Sequence, residues 1–308
     1  MFVKSVYGVE KAIDRFNIHR LSVAVWYLLK YYLNFTVPIY YRITKRKEQQ
    51  SVRKYTNKIV IVSFTTFPAR MKTLPIVIES LLRQTVKPDR IILWLADTQY
   101  PDRKNVTAQL KSFIERGLEI KYCDDLRSHK KYYYTMQENP EAIVVTVDDD
   151  IIYPEDMLEK LLKAHKRYPN CIVANRVHRM KFNNNGPLPY SKWDTKICKS
   201  AKPDLALCPT GCGGVLYPPH SLDQRVFDTT VFKKICIYAD DLWLKCMSFM
   251  KGTQIVLSES DIPEIIDVIG NKKNGLAKVN VEQDLNTTQL NNITKHYSID
   301  WSAIKCMR

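Results

Sequence analysis

Three adjacent aspartates, Asp148, Asp149 and Asp150, follow directly on the apolar run Ala142–Val147. Strand alternation would put Asp148 and Asp150 on one side. Carboxylates so close repel one another, and burying them unpaired is expensive, so a cation is a natural partner. All-oxygen ligation suits Mg2+ or Mn2+, which is commonly held by one or two carboxylates plus substrate phosphates. The competing reading is an acidic turn capping the helix that opens near Pro154. A second acidic pair, Asp240 and Asp241, starts an amphipathic run containing Leu242, Leu244, Cys246 and Met247. Such a carboxylate either complements the helix dipole or serves as general base toward an acceptor hydroxyl. Lys130 and Lys131, ahead of three tyrosines, read as a phosphate-binding and base-stacking segment or as an exposed surface. Gly211, Cys212, Gly213 and Gly214 allow close backbone approach to a ligand or a tight turn into a strand. They match neither a dinucleotide fingerprint nor a Walker loop.

These residues need a scaffold, and the hydrophobic pattern supplies one. Ile59–Phe64, Arg90–Ala96, Leu118–Tyr122 and Ala142–Val147 read as strands. Between them, Leu74, Val77, Ile78, Leu81 and Leu82, then Val106, Leu110, Phe113 and Ile114, recur at helical spacing. A further helix after Pro154 carries Leu158, Leu161, Leu162 and His165. The alternation predicts an α/β fold with a mostly parallel sheet covered by helices on both faces. Ligands of such sheets bind beyond the carboxyl ends of the strands, where the aspartates lie. The second half is less regular, with a helix expected over Ala239–Met250 and a strand over Gln254–Leu257. The segment after Gly270 is polar and carries no assignment.

Composition narrows the class. With 45% apolar residues among 308, the chain can bury a sizeable core, which excludes disorder. The net charge is +15, and residues 1–58 hold twelve basic and three acidic side chains, so most of the excess lies there. Within that segment, Phe16–Tyr41 reads as an amphipathic, aromatic-rich helix followed by Arg42, Lys45, Arg46 and Lys47. Lys30, Asn34 and Pro38 interrupt it, leaving no membrane-spanning apolar run. Two readings remain open: a helix lying in an anionic membrane interface, or one packed on the protein's own core. The eight cysteines lack paired zinc spacing and are expected to be reduced, in cytosol. The expected organisation is an N-terminal helical segment (1–57), a catalytic domain (58–265, divided at 150/151) and a C-terminal extension (266–308).

The run VSFTTFPARMKTLPIVIESLLRQTVKPDRIILWLAD (62–97), then VVTVDDDIIYPEDMLEKLL (144–162), GCGG and ADDLWLK (239–245) resembles bacterial GT-A glycosyltransferases, family-two-like enzymes of capsule and surface-polysaccharide synthesis. The resemblance implies a GT-A, Rossmann-like fold and a nucleotide-sugar donor, with uracil as its base. Thr65, Phe67, Arg70 and Asp97 match the donor-lining segments, and Lys130 and Lys131 match a basic position before the metal motif. Asp148 and Asp150 match the ends of a D-x-D motif for Mn2+ or Mg2+, with Asp148 and Asp149 counted among the donor-binding residues. Asp241 matches the base of inverting members, and Asp240 stands where the family has glutamate. Gly213, Gly214 and Trp243 are expected to line the sugar and acceptor side. The acceptor is expected to be lipid-linked or an oligosaccharide, met by a protein peripheral on the cytoplasmic membrane face. A sugar nucleotidyltransferase is the first alternative, but it would need a glycine- and basic-rich loop where this chain has FPARM. A basic nucleic-acid-binding protein is the second. No nucleic-acid partner is expected, because the central acids repel phosphates and no binding motif is present.

Overall fold

The computed structural model describes residues 19–184, 186–195, 197, 202–259, 265–270 and 284–305. Residues 1–18, including the expected helix start at Phe16, and Cys198 and Cys306 lie outside the described residues.

Among the described residues, seven strands make the central sheet: β1 (Val60–Thr65), β2 (Arg90–Ala96), β3 (Leu118–Cys123), β4 (Ile143–Thr146), β5 (Ile172–Ala174), β6 (Val215–Tyr217) and β7 (Ile255–Leu257). Their spatial order is β7-β5-β6-β4-β1-β2-β3. Every neighbouring pair is parallel except the two made by β6, which runs antiparallel to β4 and β5. Parallel neighbours need long crossovers, and helices supply them here.

Period-two alternation divides β1 between two cores. Val60, Val62 and Phe64 face α2 (Leu74–Leu82), α3 (Arg103–Ile114) and α5 (Met157–Arg167). Ile61 turns the other way, clustering with Ile92 and Trp94. On that side Ser63 meets Thr135 of α4 (Lys130–Glu138), with 2.7 Å between hydroxyls, and the Trp94 indole N–H donates to the same Thr135 at 2.7 Å. The helix α4 was not expected: KKYYYTMQE has no aliphatic stripe, and a buried polar contact docks it instead. The expected architecture, a mostly parallel sheet with helices on both faces, is therefore present.

A second core joins α6 (Thr229–Ile235), α7 (Asp240–Lys251) and α8 (Leu285–His296). Leu290, Ile293, Trp301 and Ile304, from the segment with no sequence assignment, are buried in it. The six described cysteines are free thiols.

Helix α1 (His19–Ile43) has two unlike faces. Lys30, Leu33, Val37 and Tyr41, at helical spacing, are buried against the first core. Leu28, Tyr31, Phe35, Ile39 and Ile43 point outward, with Phe35 71% and Ile43 76% exposed. No described helix is long and apolar enough to cross a membrane. The inner face is also tied to the acidic loop. Lys30 pairs with Asp267, and Asn34 Oδ1 accepts the Ile269 N–H at 2.9 Å. The same segment donates Val268 N–H to the Asp150 carbonyl at 2.7 Å.

Candidate active site

Register brings the acidic loop to its place. Ser63 lies opposite Thr146 in the β1/β4 pair, so the two chains leave the sheet level with each other. Thr66 Oγ1 then reaches Asp149 Oδ2 at 2.5 Å, and Arg70 of the turn after β1 pairs with both Asp149 and Asp150. The strand itself ends at Thr146, so a turn, not strand alternation, orients the three acids. The outcome still separates them. The Asp148 and Asp150 side chains keep 29% and 26% exposure, while Asp149 keeps 7%. Asp149, expected among the donor-binding residues, is an internal anchor instead. Arg70, expected on the donor diphosphate, is buried and engaged with Asp149 and Asp150, its guanidinium 5.1 Å from the Phe67 ring centre.

Lys131 joins the two acidic motifs. It projects from the first turn of α4 with its ammonium 2.8 Å from Asp148 and 2.8 Å from Asp240. Burial alone would lower its pKa, but Asp148, Asp240 and Asp241 outweigh it and hold the ammonium well above the usual lysine range. Expected at a phosphate or on the surface, Lys131 is buried between carboxylates. Lys130 is buried too, with Asp125 at 2.6 Å, away from Asp148. Removing Lys131 strands the carboxylates it holds, and breaking a buried pair this way costs about 3–5 kcal/mol. Lys131→Met is accordingly expected to lower the urea unfolding midpoint sharply, whereas Lys111→Met, at the exposed pair with Glu115, leaves it nearly unchanged.

Asp240 and Asp241 open α7, yet they differ in setting. Asp240 is buried; burial pushes its pKa up, but Lys131 and then His129 pull it below the usual range. Asp241 is half-buried and accepts the Gly211 N–H at 3.0 Å. Burial, then Asp240, push its pKa up to about 7, against the pull of Lys131.

The glycine cluster meets this centre through Gly211, not through Gly213 and Gly214, which were expected to line the sugar side. A Cβ at Gly211 would lie 2.7 Å from Lys131 Nζ and 3.0 Å from Asp148 Oδ1, so a side chain at this position would have to push that ion pair aside. Gly213 packs instead on Arg176, where a Cβ would come within 2.8 Å of the arginine Cβ. Gly214 adopts φ +83°, a conformation that favours glycine, and closes on Met157. Trp243, expected to offer its face to a sugar, is in the core, 0% exposed, its indole N–H donating to Val226 O at 3.0 Å. Thr65 is turned into the sheet, donating to Trp94 O at 2.8 Å, and Asp97 pairs with Arg103 at the end of β2.

Arg176 also escaped the sequence reading. It follows β5, near Thr210 Oγ1 at 3.3 Å and Cys212 Sγ at 3.5 Å, without a carboxylate partner among the described residues. Its signal was position alone, a cation just past the carboxyl end of a strand.

Among the described residues, no three His, Cys, Asp or Glu side chains are grouped to hold a metal by themselves. Asp148 and Asp150 fit the other kind of site, in which substrate phosphate and water complete the shell of Mg2+ or Mn2+. Burial, then the Asp148 charge, push Asp150 up to about 7 despite Arg70.

Several known proteins are similar to this chain. Among solved structures, residues 1–349 of TarS from S. aureus match with a TM-score of 0.41 and 14% identity, over 68% of this chain and 58% of that one. The mannosyltransferase PcManGT from Pyrobaculum calidifontis, solved with GDP-Man and Mn2+, matches with a TM-score of 0.47 and 11% identity, over 96% of this chain and 76% of that one. TarS 1–349 in complex with UDP matches with a TM-score of 0.39 and 12% identity, over 64% and 57%. The chain thus spans 58% of the first of these proteins' length. No curated protein matches the chain in sequence. The family model for glycosyl transferase family 2 matches residues 58–217, from the start of β1 through the acidic loop and glycine cluster to the end of β6. That is more than half of the chain, and the chain belongs to glycosyl transferase family 2.

Proposed function

We propose that the chain moves a sugar from a UDP-sugar to a hydroxyl of a lipid-linked or oligosaccharide acceptor. The reaction is metal-dependent and inverting, and it serves surface-polysaccharide or capsule synthesis at the cytoplasmic membrane face. One observation carries this reading: Asp148 and Asp241 converge on Lys131 and Gly211 at the carboxyl end of the sheet. Asp148 and Asp150 would hold Mn2+ or Mg2+. When bound, such an ion would supply positive charge against the negative charge of the departing diphosphate. Arg70 and Thr66 fix the loop by gripping Asp149, which leaves its two neighbours accessible. Asp241 takes the proton of the acceptor hydroxyl as oxygen attacks the anomeric carbon from the face opposite the leaving group. Lys131 acts through its partners, keeping Asp240 ionised and the two acidic loops in register. Arg176 is a second cation available to an anionic group of donor or acceptor.

A thermal-shift panel of nucleoside diphosphates and their sugars tests the donor class. UDP and UDP-sugars are expected to raise Tm with Mn2+ present and to lose most of that effect in EDTA. A response to no nucleoside diphosphate, or pyrophosphate release from a triphosphate and a sugar phosphate, would overturn the reading.

A further inference from the structure

We infer that a cavity between α1, α2 and α3 binds the headgroup of an anionic phospholipid, whose chains lie along the outer face of α1. The inference rests on the proposed membrane-face function and names the lipid contact that it needs. The cavity measures about 960 Å³, within the range of small-molecule sites. Tyr31, Phe35, Pro38, Ile76 and Phe113 form its apolar side. Among the described residues its charged lining is six cations, Arg42, Lys45, Arg46, Lys72, Arg83 and Arg116, against one carboxylate, Glu79. Glu79 is already shared by Arg83 and Arg116, each within 2.6 Å. Arg42, Lys45 and Lys72 are exposed and meet no carboxylate among the described residues. Arg46 is disfavoured as a cation by burial and then by Arg116, so the cavity has an excess of positive charge that an anion would relieve.

The apolar side continues outward over Leu28, Phe35, Ile39 and Ile43, between 45% and 76% exposed. Soluble proteins seldom leave such surface without a partner. A nucleic acid or an acidic peptide would match the cations but leave these side chains in water. A phospholipid satisfies both halves: its phosphate meets the cations, and its chains cover the tyrosines and aliphatics, an arrangement typical of interfacial helices. Val268, which lines the cavity, also donates to the Asp150 carbonyl, so a lipid held there sits one segment away from the proposed metal loop.

The test uses the full chain and vesicles of phosphatidylcholine with and without phosphatidylglycerol. Wild type is expected to co-sediment with the anionic vesicles. Each cation at the surface contributes about fivefold to partitioning, so Arg42→Gln/Lys45→Gln/Lys72→Gln should lose roughly a hundredfold. The control Lys233→Gln/Lys234→Gln, on α6, should change it by less than about twofold. Monomeric dihexanoylphosphatidylglycerol should raise Tm, and inorganic phosphate at the same concentration should not. Equal binding to neutral vesicles would overturn the anionic site while leaving membrane attachment intact. Equal loss in the control would overturn it in favour of diffuse charge, and a Tm response to inorganic phosphate in favour of a free-anion site. A dimer that Phe35→Ser disperses, with no vesicle binding, would assign the face to a second copy and overturn the lipid. Transfer to a soluble acceptor should be unchanged in the triple variant, so failure of the lipid site is distinguishable from failure of the glycosyltransferase reading.

Discussion

Asp150→Asn is expected to abolish sugar transfer and, in the metal-free protein, to raise the unfolding temperature. The first effect follows from the proposed ligand pair. With one carboxylate gone, charge on the departing diphosphate loses its main electrostatic partner, a loss on the scale of a thousandfold in kcat. Donor binding should weaken in Mn2+ and become indifferent to EDTA. The second effect follows from the direction of the Asp150 shift. Its folded-state pKa lies above that of an unfolded aspartate, so the folded protein binds more protons and loses stability as pH rises between the two values. At pH 8 the charged form is therefore a burden on the fold, and asparagine removes it. Asp148→Ala should also abolish transfer but should not stabilise, because Asp148 is one of the two carboxylates that hold buried Lys131. Opposite stability effects with a shared loss of activity would mark both residues as functional. Full turnover in both variants would sink the metal assignment, and a Tm for Asp150→Asn below wild type would show the charge to be compensated.

The sequence carried the frame of this site well and its inner contacts poorly. The strands β1, β2 and β4 were legible because buried parallel strands read as continuous apolar runs, the edge strand β3 because Leu118, Ile120 and Tyr122 alternate with Glu119 and Lys121, and the acids because they interrupt an apolar run. Nothing in KKYYYTMQE announced α4, since Thr135 docks it through hydroxyl contacts that depend on Ser63 and Trp94, both distant in sequence. The partners of Lys131, Asp148 and Asp240, are therefore not visible from its sequence neighbours. A lysine near an expected phosphate site invites a phosphate, while the tertiary fold gives it two carboxylates. The glycine cluster was recognised as a close-approach element, but which glycine approaches what depends on the position of α4 and α5. Trp243 shows the same limit from the other side. Its neighbours Leu242 and Leu244 make α7 amphipathic, and periodicity alone does not reveal that a later helix, α8, covers the indole.

The two aspartates Asp240 and Asp241 differ in setting, and the proposed role of Asp241 as base makes the remaining large prediction. Both lie in the first turn of α7, where dipole effects alone would favour either. Asp240 is buried and held at 2.8 Å by Lys131, its pKa below the usual range, so it is a poor proton acceptor. Asp241 is half-buried, receives the Gly211 backbone N–H, and has a pKa pushed up to about 7, near the optimum for a base at neutral pH. Asp241→Asn keeps the shape and can still accept that N–H through its amide oxygen. It is expected to lower kcat by about 10²–10⁴-fold, the usual range for losing a general base, with the donor Kd within about twofold of wild type. In wild type the rate should fall as pH drops below about 7, because a protonated carboxyl cannot take the acceptor's proton; that acid limb should vanish from the residual activity of the variant. Asp240→Asn should instead lower stability together with activity, since it leaves Lys131 only one close carboxylate. If Asp241→Asn kept the acid limb and most of its rate while Asp240→Asn lost both at undiminished stability, the roles of the two aspartates would be reversed.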